Sequence, residues 1–302
     1  MAEEGAVAPL VMPVAPYDDM NFGPESQIII DMMTNDETSA EITVDKIVAI
    51  TSALATTSSD RGLEEHASNV SLTIVGVATR VPHDQQSKLV DFCFRLHLYS
   101  IPDPINGGFL SARRKGEVFW SEWPQLKYIA VVYGFSGFVH ESFVNDEQSY
   151  QNYMAWRAQL SEMGFSSWKE DPTFTWEHLK RIFRHGYGSS RRRTDVRAMC
   201  MWLIYAPNKV WLDVQLRRRI PSGLIRERRR LRRSYWSRWK EFLRGCHEVQ
   251  VNEDENMLSD GGYGNARVAS EHDISDRDTQ ELIKRALESM EMVEAEHSIR
   301  SG

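Results

Sequence analysis

Hydrophobic positions change their period along this chain. From Thr43 to about Ala55, the residues Val44, Ile47, Val48, Ile50, Ala53 and Leu54 recur at three- and four-residue steps, which predicts a helix. A loop follows at Thr56–Arg61, and then the signal turns to β. Val70, Leu72, Ile74, Val75 and Val77 form a β-branched run that stops near Pro82. Val90, Phe92, Phe94, Leu96 and Leu98 alternate with Asp91, Cys93, Arg95, His97 and Tyr99, and period two over that length predicts a strand with one buried face. Val118–Trp120 and Tyr128–Tyr133 read as further strands. Between them and the alternating segment, Pro102, Pro104, Gly107 and Gly108 mark a long loop, Ser100–Lys115, with a basic tip at Arg113, Arg114 and Lys115.

Helical spacing then takes over. Asn145 with Gln148 gives a capping-box signature ahead of Tyr150, Tyr153, Met154 and Leu160, with Gly164 as the stop. Asp171 and Pro172 open a second helix that carries Trp176, Leu179, Ile182 and Phe183 inward and ends at Gly186. Thr194 opens a third, through Met199, Trp202 and Leu203 to Tyr205, before Pro207. Leu224, Leu231, Tyr235, Trp239 and Phe242 make the apolar stripe of a further helix closed by Gly245. Asp278 with Glu281 caps a terminal amphipathic helix bearing Leu282, Ile283, Ala286, Leu287, Met290 and Val293. The pattern therefore predicts an α+β fold, a small antiparallel sheet at about residues 70–135 packed with a helical C-terminal half. Trp120, Trp123, Trp156, Trp168, Trp176, Trp202 and Trp211 are expected in the core or at its edge.

Charge adds flexible arms to this picture. Residues 1–46 hold ten acids against the single base Lys46, and Pro9, Pro13, Pro16 and Pro24 interrupt any regular element. Residues 1–42 are expected as an acidic disordered arm with an apolar island at Ile28–Met33. Residues 43–247 are expected as the globular domain. Residues 248–302, with fourteen acids and five bases, are expected as an acidic linker and the terminal helix, which either self-associates or docks on its own domain.

The strongest functional signal is the separation of sign. From Leu216 to Gly245 there are twelve bases and two acids, a net +10, while the whole chain is −7 and everything outside the segment is therefore −17. The candidate binding residues are Arg217, Arg218, Arg219, Arg226, Arg228, Arg229, Arg230, Arg232, Arg233 and Arg238, with a secondary cluster at Arg191, Arg192 and Arg193. A guanidinium keeps its charge and grips two phosphate oxygens at once. Tyr235, Trp236 and Trp239 lie among the arginines and could stack on bases. Three readings share these residues: a nucleic acid or nucleoprotein site, a two-part nuclear import signal (Arg217–Arg219 and Arg226–Arg233), or a solvated helix that pairs with the acidic tail.

Other chemistries have little support. Gly134-Phe135-Ser136-Gly137 lacks the spacing of a nucleophile elbow, the Gly186–Ser190 loop lacks a phosphate-loop lysine, and no zinc-ligand spacing occurs. The chain is thus expected to be no enzyme and to need no cofactor or metal. Cys93, Cys200 and Cys246 are odd in number and far apart, which fits a reducing compartment. Met1–Leu10 has no basic residue for a secretory signal, and no apolar run is long enough for a transmembrane segment.

The order of features resembles rhabdovirus matrix proteins, the plant nuclear-replicating group in particular. The resemblance rests on the acidic arm with Pro13-Val14-Ala15-Pro16-Tyr17-Asp18-Asp19, similar to a Pro-Pro-x-Tyr budding motif without its first proline, and on strand-like segments at Lys88–Leu96 and Leu126–Gly134. The resemblance implies a non-enzymatic viral assembly protein of the host nucleus and virion. Such a protein condenses the viral nucleocapsid or RNA, meets a nuclear import receptor and a membrane surface, and forms a homo-oligomer. The net negative charge departs from the basic balance of that group. An RNA-binding coat or nucleocapsid protein of a plant RNA virus and a cellular nuclear RNA-binding adaptor are the alternatives.

Overall fold

The structure, a computed structural model, describes residues 23–57, 60–111, 117–123, 126, 147–164, 192–216, 236–247 and 276–299. The chain divides into two compact units, Met1–Val144 and Asn145–Gly302, a division that falls inside the stretch 43–247 read from sequence as one domain. Helices α1 (Pro24–Thr34), α2 (Ala40–Thr57), α3 (Asp60–Arg80) and α4 (Ser87–His97) belong to the first unit, with a 3-10 turn at His83–Gln85. The second holds α5 (Glu147–Glu162), α6 (Arg192–Tyr205), α7 (Pro207–Leu216), α8 (236–247) and α9 (Arg277–Ile299).

The expected α+β fold is overturned, because the described part of the 70–135 region holds no strand. Val70–Val77 is the second half of α3, and the alternating segment is α4. Both errors have a physical cause. In α4 the buried residues are Leu89, Val90, Phe92, Cys93 and Leu96, at helical steps, while Leu98 is exposed. The same stretch happens to satisfy period two and period 3.6, and packing against α2 selects the second. In α3, Val70, Ile74, Val77 and Ala78 share a buried face. Ser71 and Thr73 are buried there too, and the Ser71 hydroxyl donates to the Ala67 carbonyl (2.7 Å) and the Thr73 hydroxyl to that of Asn69 (2.8 Å). β-Branched propensity is weak against such burial. Extended pairing among the described residues is limited to the isolated bridges Pro102–Phe109 and Ser111–Val118. Tyr128–Tyr133 lies outside the described residues.

Helix α1 lies within the stretch assigned to a disordered arm. It buries Ile29 and Met32 against α2 and α3, so the apolar island forms part of the first unit's core. A polar network ties these helices together from inside. Glu25 Oε1 accepts from His66 Nδ1 at 2.6 Å, His66 Nε2 lies 3.0 Å from the Thr51 hydroxyl, and Trp120 Nε1 donates to that hydroxyl at 3.2 Å. Trp123 Nε1 donates to Ser71 Oγ at 3.0 Å. Gly23 leads into α1 at φ 109, a backbone conformation that strains any residue with a Cβ and so favours glycine.

Burial draws the His66 pKa below its ordinary 6.5, against the opposing pull of Glu25. The unfolded chain therefore takes up this proton first as pH falls, so the stability that an uncharged His66 contributes is present above pH 6.5 and lost below it. We expect the urea midpoint of the first unit to drop between neutral and mildly acidic pH, with a slope of at most about 1.4 kcal/mol per pH unit from this group. His66→Gln should remove that part of the slope; an unchanged slope in the variant would assign it to other groups.

The second unit packs around α6, which meets α5, α7 and α9. Met154, Val196, Met199, Leu203, Val210 and Ile283 are among the residues of its core. Helix α9 is the terminal helix expected from sequence, and it buries Leu282, Ile283, Ala286, Met290 and Val293, so it docks within its own unit. Asp276 caps it, accepting from the Thr279 backbone N–H at 2.9 Å, in place of the expected Asp278. Arg197 fastens α6 to the start of α9, donating to Asp276 Oδ1 and to Thr279 Oγ1, each at 2.7 Å. Helix α5 carries the expected Tyr150, Tyr153, Met154 and Leu160 and ends two residues before Gly164. Asn145 and the helix expected from Asp171 lie outside the described residues.

Candidate polyanion interface

Helix α8 holds the C-terminal end of the +10 segment. Trp236, Trp239, Leu243 and Cys246 recur at steps of three and four, and all are buried in the core of the second unit. Trp239 is 1% exposed. Trp211 on α7 meets Trp236 edge-on at 4.9 Å and stacks on His297 at 5.6 Å. Outward lie Ser237, Arg238, Glu241 and Arg244. The helix therefore presents a polar face and is fixed by aromatic rings on the other. This corrects one expectation: Trp236 and Trp239 are core residues and offer no stacking surface to bases.

Helix α9 supplies carboxylates along one edge of α8. Lys240 Nζ donates to Glu294 Oε2 at 2.6 Å and lies 3.4 Å from Glu291, and Arg244 donates to Glu291 Oε1 at 2.9 Å. Glu294 also accepts from Trp236 Nε1 at 2.9 Å. Residues 240 and 244 are one helical turn apart, as are 291 and 294, so two turns of α8 face two turns of α9. The hydrogen bond from Arg244, with help from Lys240, holds the Glu291 carboxyl below its ordinary range. Both Arg244 and Glu291 are about half exposed, and such a pair contributes roughly 1 kcal/mol or less. A phosphate could therefore displace Glu291 from Arg244 at little cost, whereas Glu294 is held by a lysine and an indole together.

The predicted site residues fall into three groups. Arg238 is exposed on α8. Arg193 is bound within its own unit by Glu147, at 2.7 Å, so the secondary cluster loses one free cation. Arg192 opens α6, but its side chain lies outside the described residues, as do Arg191, Arg217, Arg218, Arg219, Arg226, Arg228, Arg229, Arg230, Arg232 and Arg233.

Sequence reasoning missed the Thr51–His66–Glu25 relay, whose order of hydroxyl, imidazole and carboxylate is that of a nucleophile, base and orienting acid. All three residues are buried, at 0%, 2% and 4% exposure, and the Thr51 hydroxyl is 2.8 Å from the Ile47 carbonyl of its own helix. The relay is sealed and works as a clamp between α1, α2 and α3. No spacing in the sequence could have found it, since its members are 15 and 41 residues apart. The three cysteines are buried thiols rather than disulfides, and burial pushes the Cys200 pKa strongly up. Among the described residues, no cluster of metal-ligating side chains occurs and no helix is long and apolar enough to cross a membrane.

A family model described as "Protein of unknown function (DUF3632)" matches residues 72–243, more than half of the chain, from within α3 to within α8. No curated protein and no solved structure matches the chain. Lys88–Leu96, one of the two strand-like segments behind the resemblance to matrix proteins, is helical here.

Proposed function

We propose that this chain, which belongs to the DUF3632 family, works by binding, and that its arginine segment from Arg217 to Arg238 holds RNA through the phosphate backbone. The observation that carries this reading is the anchoring of α8. The end of the segment is locked into a core by Trp236, Trp239 and Leu243, which leaves Arg238 outward beside it. Ten bases precede Lys240 in the segment, and the chain outside it sums to −17, so this is the one strongly cationic stretch that a polyanion can meet.

Burial of the two tryptophans refines the mode of binding. With Trp236 and Trp239 turned inward, recognition rests on charge and fork geometry, which read phosphates and not bases. RNA of scrambled sequence should therefore bind about equally well. Engagement of five or six phosphates on a single strand gives a log–log salt slope of about −4.

Fluorescence anisotropy with a single-stranded RNA oligonucleotide tests this. Replacing Arg228, Arg229, Arg230, Arg232 and Arg233 by glutamine should weaken binding and flatten the salt slope by about 3.5, from roughly 0.7 per phosphate. Equal affinity and an equal slope in the variant would refute the reading.

A further inference from the structure

The two carboxylates that α9 sets against α8 are held unequally. Glu294 Oε2 accepts from Lys240 Nζ at 2.6 Å, and its Oε1 accepts from Trp236 Nε1 at 2.9 Å. The lysine side chain is 12% exposed, and the indole belongs to the buried core of the second unit. Glu291 works through one oxygen. Its Oε1 accepts from Arg244 Nη2 at 2.9 Å and lies 3.4 Å from Lys240 Nζ. The side chains of Arg244 and Glu291 are 49% and 54% exposed. One carboxylate is therefore fixed, and its neighbour one turn away sits at the edge of the water.

This inequality decides what an arriving anion can displace. Moving Glu294 would strip partners from a largely buried ammonium and a buried indole N–H, which is costly. Moving Glu291 has no such cost. Lys240 keeps Glu294, and the released carboxylate turns into solvent. Arg244 is then open to a new acceptor, and a phosphate oxygen makes the same charge-assisted hydrogen bond that Glu291 Oε1 fills. Arg238 is exposed on the same helix six residues earlier, about 9 Å along its axis. A strand held at Arg238 thus has its next cation on α8 at Arg244, behind a carboxylate that can leave.

We propose that Arg244 is a phosphate subsite, and that Glu291 occupies it until RNA displaces the carboxylate and extends its contact along α8. This inference rests on the RNA reading and carries its footprint past Arg238. Glu291 is then an internal competitor, one side chain of the acidic tail that stands where a phosphate binds. Its hold is weak by construction. A half-exposed pair opposes a ligand by a factor of about five at most, so the contact trims affinity without blocking the site. Glu294 keeps α8 and α9 in register while Glu291 swings out.

Fluorescence anisotropy of the full chain with single-stranded RNA tests it. Glu291→Gln should tighten binding by up to about fivefold and steepen the salt slope by up to about 0.7, the share of one phosphate. Glu288→Gln removes the same charge from an exposed position three residues earlier on α9, and its gain should be smaller. Adding Arg244→Gln to Glu291→Gln should abolish the excess gain. Arg244→Gln should also cost less in the parent, where the guanidinium is already occupied, than in the Glu291→Gln background. All these positions are exposed, so the urea midpoint should stay within the scatter of ordinary surface substitutions. Equal gains from the two glutamate variants, or a gain that survives the loss of Arg244, overturn the proposal and leave the RNA reading standing. A parent chain that binds no RNA, or a five-arginine variant that binds as the parent does, removes the RNA reading and this inference with it.

Discussion

A chain ended at residue 247 is expected to lose its folded second unit, because the acidic tail is a wall of the core and not an appendage. Leu282, Ile283, Met290 and Val293 on α9 are buried. At about 1.5–3 kcal/mol each, their burial contributes roughly 6–12 kcal/mol. Whole domains are stable by only about 5–15 kcal/mol. The same cut strips Arg197 of its hydrogen bonds to Asp276 and Thr279 and leaves it only the longer contacts to Glu147 at 4.0 Å and Gln151 at 3.4 Å, which adds to the loss. Circular dichroism and urea unfolding of the truncated chain should show one surviving transition, that of the first unit. Two retained transitions, with unaltered midpoints, would show that α9 is dispensable. The consequence for function is direct. Competition between tail and polyanion is then not measurable by deletion, since the cut also removes the core into which α8 packs.

Helices α2 and α9 were legible because each has one apolar stripe and one period. Val44 and Ile47 in the first, and Leu282, Ile283, Ala286 and Met290 in the second, are buried as their spacing requires. Helices α3 and α4 were not, for opposite reasons. In α4 two periods coincide on the same residues, so only the neighbour α2 decides between them. In α3 burial reaches most of the circumference, and the hydroxyls that break the hydrophobic pattern are satisfied by carbonyls one turn back. A local pattern carries neither fact. The candidate site divides along the same line. Its charge was visible in composition. The inward turn of Trp236 and Trp239, and the reach of Glu291 and Glu294 to Lys240 and Arg244, were not, because those partners are about fifty residues apart and depend on how α8 meets α9. The Glu25–His66 clamp was hidden twice over, by distance and by the acidic composition that made residues 1–42 look unstructured.

Trp239→Ala should weaken RNA binding without altering a single charge. The side chain is 1% exposed and sits where α8 enters the core of the second unit, so its removal leaves a large void that the surrounding helices fill only in part. Truncations of this kind cost about 3–5 kcal/mol. That is enough to loosen α8, and with it the direction in which Arg238 is held. Arg238→Gln makes the opposite cut. It should leave the urea midpoint within the scatter of an ordinary surface substitution, about 0.5 kcal/mol, and reduce the salt slope by roughly 0.7 for one lost phosphate contact. The two variants together separate platform from ligand contact. If Trp239→Ala lowered stability as expected but bound RNA with the parent affinity and slope, the arginines would act as an unstructured charged string. The aromatic anchor would then be a matter of folding alone.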